Sequence, residues 1–168
     1  MTTRPAWVFD DSEIPDPFGY GERAVRFFDH LKHPLSTEPD GRMALPRFWQ
    51  RIIRRIYGPR HPDGRRIVNR VLIMAPRGSR KTTTVSAGLG LLHAVGHERV
   101  PRGQVILASG SKDQAAFGLE EAKGIVDSTP ALAAKLVQRG EFIEHPDAKS
   151  RLRLVSSAGD ITSSGSTP

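Results

Sequence analysis

The sequence predicts an α/β fold in which a parallel β-sheet is flanked by helices. Two short apolar runs, residues 71–75 and 104–108, have the length and composition of buried strands. Each run is followed by a turn of small residues and then by apolar residues at helical spacing. Because parallel strands are joined through crossover helices, this alternation favours a parallel sheet with a ligand at the carboxyl ends of its strands.

The composition favours a polyanionic partner and excludes cysteine chemistry. The 168 residues include 25 Lys and Arg against 18 Asp and Glu, a net charge of +7 that suits nucleic acid. A generally basic proteome would give the same balance. There is no cysteine, so disulfides, cysteine-based zinc sites and thiol catalysis are excluded. No signal peptide or membrane-spanning run is recognisable, which favours a cytoplasmic protein.

The first 44 residues are predicted to form an arm and one short helix, ahead of a main domain at residues 45–168. Residues 1–21 combine acidic residues with proline and glycine, a composition typical of an extended arm. The short helix that follows has an apolar face of Ala24, Phe27, Phe28 and Leu31.

A second helix is predicted over residues 46–57, because proline suits the first turn and Gly58-Pro59 ends the helix. Its apolar stripe consists of Phe48, Trp49, Ile52, Ile53, Ile56 and Tyr57, and its opposite face of Arg47, Arg51, Arg54 and Arg55. Such a basic face could follow a phosphate backbone, but a solvated face is commoner and is the interpretation favoured here. Gln50 lies beside the boundary between the two faces.

The segment after the first predicted strand has the pattern of a phosphate-binding loop. Lys81 and Thr82 match the end of G-x-x-x-x-G-K-[ST], whereas Ala75 and Arg80 replace its two glycines. In such a loop backbone N–H groups bind phosphate, Lys81 reaches the β- and γ-phosphates, and Thr82 ligates Mg²⁺. Gly78 is the one glycine left, so Arg80 must tolerate the backbone geometry or distort it. An ordinary strand–turn–helix with a basic turn is the alternative.

Helices and strands alternate after this loop. The loop helix is expected to bury Val85, Leu89, Leu92 and Val95, and the helix after residues 104–108 is expected to bury Ala115, Leu119, Ala122 and Val126. A short helix over residues 130–137 and strands at residues 142–143 and 152–155 complete the predicted order.

Five groups of residues follow one another in an order that points to a known family. They are 14–20 with 26–28, 45–50, 75–82, 104–108 with 113–115, and 157–158 with Gly165 and Pro168; the first three contain IPDPFGY, LPRFWQ and APRGSRKT. Together they resemble the large subunit of HK97-like DNA-packaging terminases of tailed phages, from about Ile14 to the end of the chain. The family's phosphate loop begins Pro-Arg-Gly and lacks the usual first glycine, whereas Arg80 is a departure from it.

The resemblance implies a RecA-like P-loop NTPase fold of the ASCE class and an ATP-driven motor that moves double-stranded DNA into a capsid. It implies a homo-oligomeric ring on a portal, a small terminase subunit as a partner, and ATP and Mg²⁺ as cofactors. Arg77 and Lys81 would be catalytic through the γ-phosphate, Thr82 would ligate Mg²⁺ and Gln50 would face the adenine. The implied nucleotide-binding residues are Gln50, Arg77, Gly78, Ser79, Arg80, Lys81, Thr82 and Thr83.

Hydrolysis in this family also requires adjacent acids at the end of an apolar strand, the Walker B strand, and the family's nuclease requires three further acids. Neither group follows within these 168 residues, so we expect the first part of an ATPase domain, truncated before Walker B and without the nuclease. Such a chain should bind nucleotide weakly, hydrolyse little of it, and leave apolar sheet edges unpaired.

Two other classes of function remain open from the residues. A helicase-like P-loop ATPase shares the aromatic-Gln pair ahead of the loop. A non-catalytic, basic DNA-binding module from a prophage, or an inactive remnant of one, would have the positive charge without a nucleotide requirement. Nucleotide binding that depends on Lys81 would separate the ATPases from this second class.

Overall fold

A computed structural model describes residues 12–109 and 112–156, and the chain divides into two compact units. The first unit contains Leu45–Ile73 with the N-terminal residues up to Arg26, and the second contains Phe27–Ala44 with the residues from Met74 onward. Helix α1 (Tyr20–Asp29) begins in the first unit and ends in the second. The features expected of residues 1–11 and 157–168 lie outside the described residues.

The first unit is built around helix α2 (Arg47–Tyr57), which confirms the second predicted helix. Trp49, Ile53 and Tyr57 are buried, and their spacing of four residues places them on one face of the helix. The helix ends as expected at Gly58, whose N–H donates to the Arg54 carbonyl at 2.8 Å.

The predicted strand at residues 71–75 is wrong, because this segment pairs with no strand in the described part of the chain. Val71 is exposed, and Leu72 and Met74 are 87% and 89% exposed. A strand requires a hydrogen-bonded neighbouring strand. Apolar composition suggested a strand here, but composition does not determine whether a partner strand is present. The segment runs as unpaired chain into the loop at Pro76.

The second unit contains a four-stranded sheet in the order β1-β4-β3-β2. The strands are β1 (Gln104–Ser109), β2 (Val137–Gln138), β3 (Phe142–His145) and β4 (Ser150–Ser156). Strands β1, β3 and β4 confirm predicted strands. Strand β2 was not foreseen, because the helix expected over residues 130–137 ends at Ala133. Only β1 and β4 are parallel, so the expectation of a parallel sheet is corrected to a mixed one. The turns that join β2, β3 and β4 are too short for a crossover and permit antiparallel pairing alone.

Helices cover the sheet of the second unit. A π-helical segment (Thr82–Leu89) continues as α3 (Gly90–Ala94), and α4 (Lys112–Ser128) and α5 (Pro130–Ala133) follow β1. The core of this unit includes Phe28, Leu91, Leu92, Leu119, Ile125, Ile143 and Leu152. Within the described ranges, no helix combines the length and apolarity needed to cross a membrane.

Candidate phosphate-binding loop

The candidate loop begins with a tight turn over residues 76–79. The Ser79 N–H donates to the Pro76 carbonyl at 3.4 Å, and Gly78, the third residue of the turn, has a φ of +80°. A positive φ at that position is typical of a type II turn, and glycine adopts it without strain. Apart from its two chain neighbours, no described residue has an atom within 4 Å of a Cβ built on Gly78. The turn therefore requires glycine for its backbone conformation and not because of crowding.

Arg80 tolerates the loop by adopting the left-handed conformation of a glycine. Its φ is +57°, and it stands where the phosphate-loop pattern has its second glycine. The next residue, Lys81, is right-handed, with φ −60° and ψ −37°. Neighbouring residues of opposite hand turn successive N–H groups toward a common concavity, an arrangement that binds anions.

Lys81 reaches back across this loop. Its Nζ donates to the Ala75 carbonyl at 3.0 Å, which joins the end of the phosphate-loop pattern to its beginning. The residue remains exposed, and an ammonium group has three donors. Two donors are therefore left for an anion bound over the loop.

The start of the helix after the loop adds backbone donors. The Thr84 N–H donates to the Arg80 carbonyl at 2.9 Å, so helical bonding begins there. The N–H groups at the beginning of a helix have no partner within the helix, and its dipole favours negative charge at that end. A phosphate placed at the loop would meet these donors and the dipole together.

Two arginines and one threonine of the predicted site are available for a ligand. Arg77 and Arg80 are exposed, and neither side chain makes a hydrogen bond or ion pair with another described residue. Thr82 is half-buried, and its hydroxyl has no partner among the same residues. Mg²⁺ at nucleotide sites is held by one or two protein oxygens together with substrate phosphates. The Thr82 hydroxyl is an oxygen of the kind that such a site uses.

The Thr83 hydroxyl points to α4. It donates to Oε2 of Glu121 at 2.7 Å, and Nε2 of His33 lies 3.1 Å from the same oxygen. Sequence reasoning missed Glu121 and His33. No pattern in the sequence could have found them, because Glu121 lies 38 residues from Thr83 and 88 from His33.

Gln50 belongs to the first unit, whereas residues 77–83 belong to the second. Its Nε2 donates to the Leu45 carbonyl at 2.8 Å, and its Oε1 accepts from Nη1 of Arg54 at 3.4 Å. Both ends of the Gln50 amide are therefore engaged within the first unit. Each end makes one of its two possible hydrogen bonds, so one N–H and one lone pair remain.

The basic face of α2 is less solvated than the sequence suggested. Nε of Arg54 donates to Oε2 of Glu22 at 3.0 Å. Arg51 donates to the Ser12 carbonyl at 3.0 Å, and Arg55 donates to the Ser12 hydroxyl at 2.8 Å. Acceptors from the N-terminal part of the chain thus occupy part of the surface that was expected to face water.

The second unit therefore has a mixed α/β fold whose strained, basic loop leads into a helix. No protein-family model and no curated protein sequence matches the chain. The fold is similar to that in the crystal structure of the HK97 bacteriophage large terminase, with a TM-score of 0.67 and 23% sequence identity over 88% of this chain. The match covers 28% of the terminase chain. The resemblance to large terminases is thus confirmed at the level of the fold.

Proposed function

We propose that this chain is the N-terminal ATPase part of a phage terminase large subunit and that residues 75–83 bind MgATP. The observation that carries the proposal is the position of Lys81, which closes a loop with left-handed residues at Gly78 and Arg80. The fold likeness to a large terminase over 88% of the chain supports it independently. Fold alone would not suffice, because one fold can host many functions.

Each loop residue has a distinct role in this proposal. Backbone N–H groups of Gly78 and residues 80–82, together with the Lys81 ammonium, bind the phosphates. The Arg77 guanidinium stabilises the negative charge that develops on the γ-phosphate in the transition state. The Thr82 hydroxyl would supply one oxygen to Mg²⁺, which would neutralise phosphate charge when it is bound. Gln50 is proposed to contact the adenine.

The unpaired segment at residues 71–75 removes one support that the sequence had suggested, namely a central strand beneath the loop. The proposal rests instead on the turn, on the two left-handed residues and on the helix that follows them. The helicase-like alternative gains nothing from the described residues. A P-loop NTPase fold of the terminase kind is therefore the one proposed.

The activity of the whole motor is part of the same proposal. Double-stranded DNA, a portal and a small terminase subunit are proposed partners, with a homo-oligomeric ring as the working form. The chain spans only 28% of the terminase that it matches in fold. We expect the 168-residue polypeptide to bind nucleotide without appreciable hydrolysis, because no adjacent acids stand directly at the end of an apolar strand in its sequence.

Nucleotide binding can be measured through the fluorescence of a labelled ATP analogue with Mg²⁺. Lys81→Ala should raise the Kd about tenfold or more, because it removes a charge-assisted bond to phosphate. Lys135→Ala is the matched control, since Lys135 is an exposed lysine of the same unit outside the loop. Equal binding by wild type and Lys81→Ala would refute the proposal. DNA binding without any response to nucleotide would favour a basic DNA-binding module.

A further inference from the structure

We propose that Glu121 is the positioning residue of the phosphate loop. Its carboxylate, oriented by His33, holds Thr83 and thereby the first helical turn, where Lys81 and Thr82 stand. This inference rests on the proposed function, because Glu121 affects MgATP binding only indirectly, through the loop residues that are proposed to bind it.

One carboxylate oxygen makes both contacts. Oε2 of Glu121 accepts from the Thr83 hydroxyl at 2.7 Å and lies 3.1 Å from Nε2 of His33. The Glu121 and His33 side chains are 20% and 13% exposed, so water competes little for these bonds. Hydrogen bonds to an ionised carboxylate are roughly twice as strong as neutral ones. The pair therefore constrains Thr83 more firmly than a neutral acceptor would.

The direction of the His33 bond follows from its other ring nitrogen. The Leu35 N–H donates to Nδ1 of His33 at 3.1 Å, so Nδ1 is unprotonated. The hydrogen of the neutral ring is then on Nε2, from which it is donated to Glu121. His33 is thus held from one side and orients the carboxylate on the other.

The segment that carries His33 is itself fixed to α4. The Lys32 N–H donates to the Thr129 hydroxyl, just beyond the end of α4, at 2.8 Å. A Cβ on Gly124 would lie 3.4 Å from Cγ of Pro34, so the backbone of α4 comes close to this proline. His33 is therefore fixed independently of the phosphate loop. Its contact with Glu121 orients that carboxylate from outside the loop.

The loop needs such support because its backbone is strained. A non-glycine residue in the left-handed conformation, such as Arg80, persists only where its surroundings over-determine it. Thr83 is the second residue of the π-helical segment and follows Arg80 by three positions. Thr83 is thus the nearest residue after the strained position with a side-chain bond to another element. Partners that orient a ligand-binding group in this way are typically required for full affinity.

The test compares Glu121→Ala, Thr83→Val and the double variant by binding of the labelled ATP analogue with Mg²⁺. Each single variant should raise the Kd about tenfold, and the double variant should raise it no further, since both changes break one bond. Glu121→Gln should restore part of the affinity, because its amide oxygen still accepts from Thr83. Glu120→Ala is the control: this side chain is 66% exposed and pairs with Lys123, so the Kd should not change.

If Glu121 only stabilised the fold, its variants would lower the melting temperature but would not show these differences in Kd between the single, double and Glu121→Gln variants. Thr83→Val keeps the shape of the side chain, so it remains informative if Glu121→Ala does not fold. Wild-type affinity in Thr83→Val and Glu121→Ala would overturn the inference and leave the proposed function standing.

Amide hydrogen exchange without nucleotide separates the two proposals. The amides of residues 81–84 should exchange faster in Glu121→Ala than in wild type or Glu120→Ala, whether or not the wild type binds ATP. Unchanged exchange at these amides would overturn the positioning role. Absence of nucleotide binding by the wild type, together with faster exchange, would overturn the proposed function and support the positioning of the loop.

Discussion

At the scale of single residues, the loop concentrates its strain at Arg80. A left-handed residue other than glycine costs about 1–2 kcal/mol. The bonds around Arg80 that oppose relaxation include the turn bond at Ser79, the Thr84 bond to the Arg80 carbonyl, and the Lys81 and Thr83 side-chain bonds. The strain is therefore local, and a substitution at this one position can remove it.

Arg80→Gly should stabilise the chain. The substitution relieves about 1–2 kcal/mol of left-handed strain, whereas the added freedom of glycine in the unfolded chain costs about 0.4–1 kcal/mol. The relief of strain outweighs this cost, so we expect a net gain of roughly 0.5–1 kcal/mol. Equilibrium unfolding in urea measures this as a higher midpoint at an unchanged slope.

Arg80→Ala is the matched control for that prediction. Alanine loses the guanidinium but keeps the Cβ, and hence the left-handed strain at φ +57°. It should not raise the midpoint. If both variants were stabilised equally, the gain would come from removing a charge and not from relieving strain.

The residues of the loop differ in how far the sequence could predict them. The turn at Gly78 and the helix that follows Lys81 were predictable, because the glycine and the apolar spacing that indicate them lie within one short stretch. The sequence showed that Arg80 replaces a glycine, but the left-handed conformation of Arg80 could be known only from the structure. The Thr83–Glu121 bond could not be predicted from the sequence, because tertiary packing sets which residues of α4 face the loop helix.

At the scale of elements, the helix after the loop was predicted correctly, but most of the residues expected on its buried face are only half-buried. The sequence favoured Val85, Leu89, Leu92 and Val95 as core residues. Leu92 is buried, but the other three are half-buried. The buried positions are Thr84, Ala87, Gly88, Gly90, Leu91, Leu92 and Ala94. A π-helix bonds residue i to i+5 and so departs from the 3.6-residue period on which the expected face was based. Small residues on the observed face also carry a weaker hydrophobic signal than valine and leucine.

Gly88→Ala should destabilise the second unit because Gly88 packs against Phe28. A Cβ at residue 88 would overlap the Phe28 ring, and that ring is fully buried. Alanine gains up to about 1 kcal/mol over glycine in a helix, but overpacking a core costs about 1–3 kcal/mol. The clash outweighs the gain in helix propensity, and a thermal melt should show a Tm lower by several degrees.

Gly124→Ala provides the opposite case in the same unit. The nearest atom to its Cβ would be Cγ of Pro34 at 3.4 Å, an ordinary contact distance. Helix propensity then decides, so the Tm should be unchanged or higher. A loss at Gly124 as large as that at Gly88 would show that backbone freedom, and not the Phe28 ring, governs both positions.

At the scale of the whole molecule, the sheet has an open edge and the chain has an unpaired apolar segment. Strand β1 ends the sheet order and has one strand partner among the described residues, β4. Ile106 on β1 is 53% exposed. The sequence predicted three of the four strands from local composition, but pairing depends on partners distant in sequence. This is why the direction of β3 and the isolation of residues 71–75 were not foreseen.

Exposed apolar residues and open sheet edges each promote association between chains. We therefore expect the purified 168-residue chain to self-associate as its concentration rises. Leu72→Glu with Met74→Glu should suppress this, because both side chains are almost fully exposed and added acids raise solubility. Light scattering coupled to size-exclusion chromatography measures the mass at each concentration.

Leu35→Glu is the control for that pair of substitutions. Leu35 is 78% exposed but lies in a loop outside residues 71–75, so its replacement should leave self-association unchanged. If it reduced the mass as strongly, general surface hydrophobicity would be responsible and not this segment. A wild-type chain that stays monomeric at high concentration and melts in one sharp transition would contradict the prediction outright. In that case the apolar side chains of residues 71–75 would be covered by other residues of the same chain.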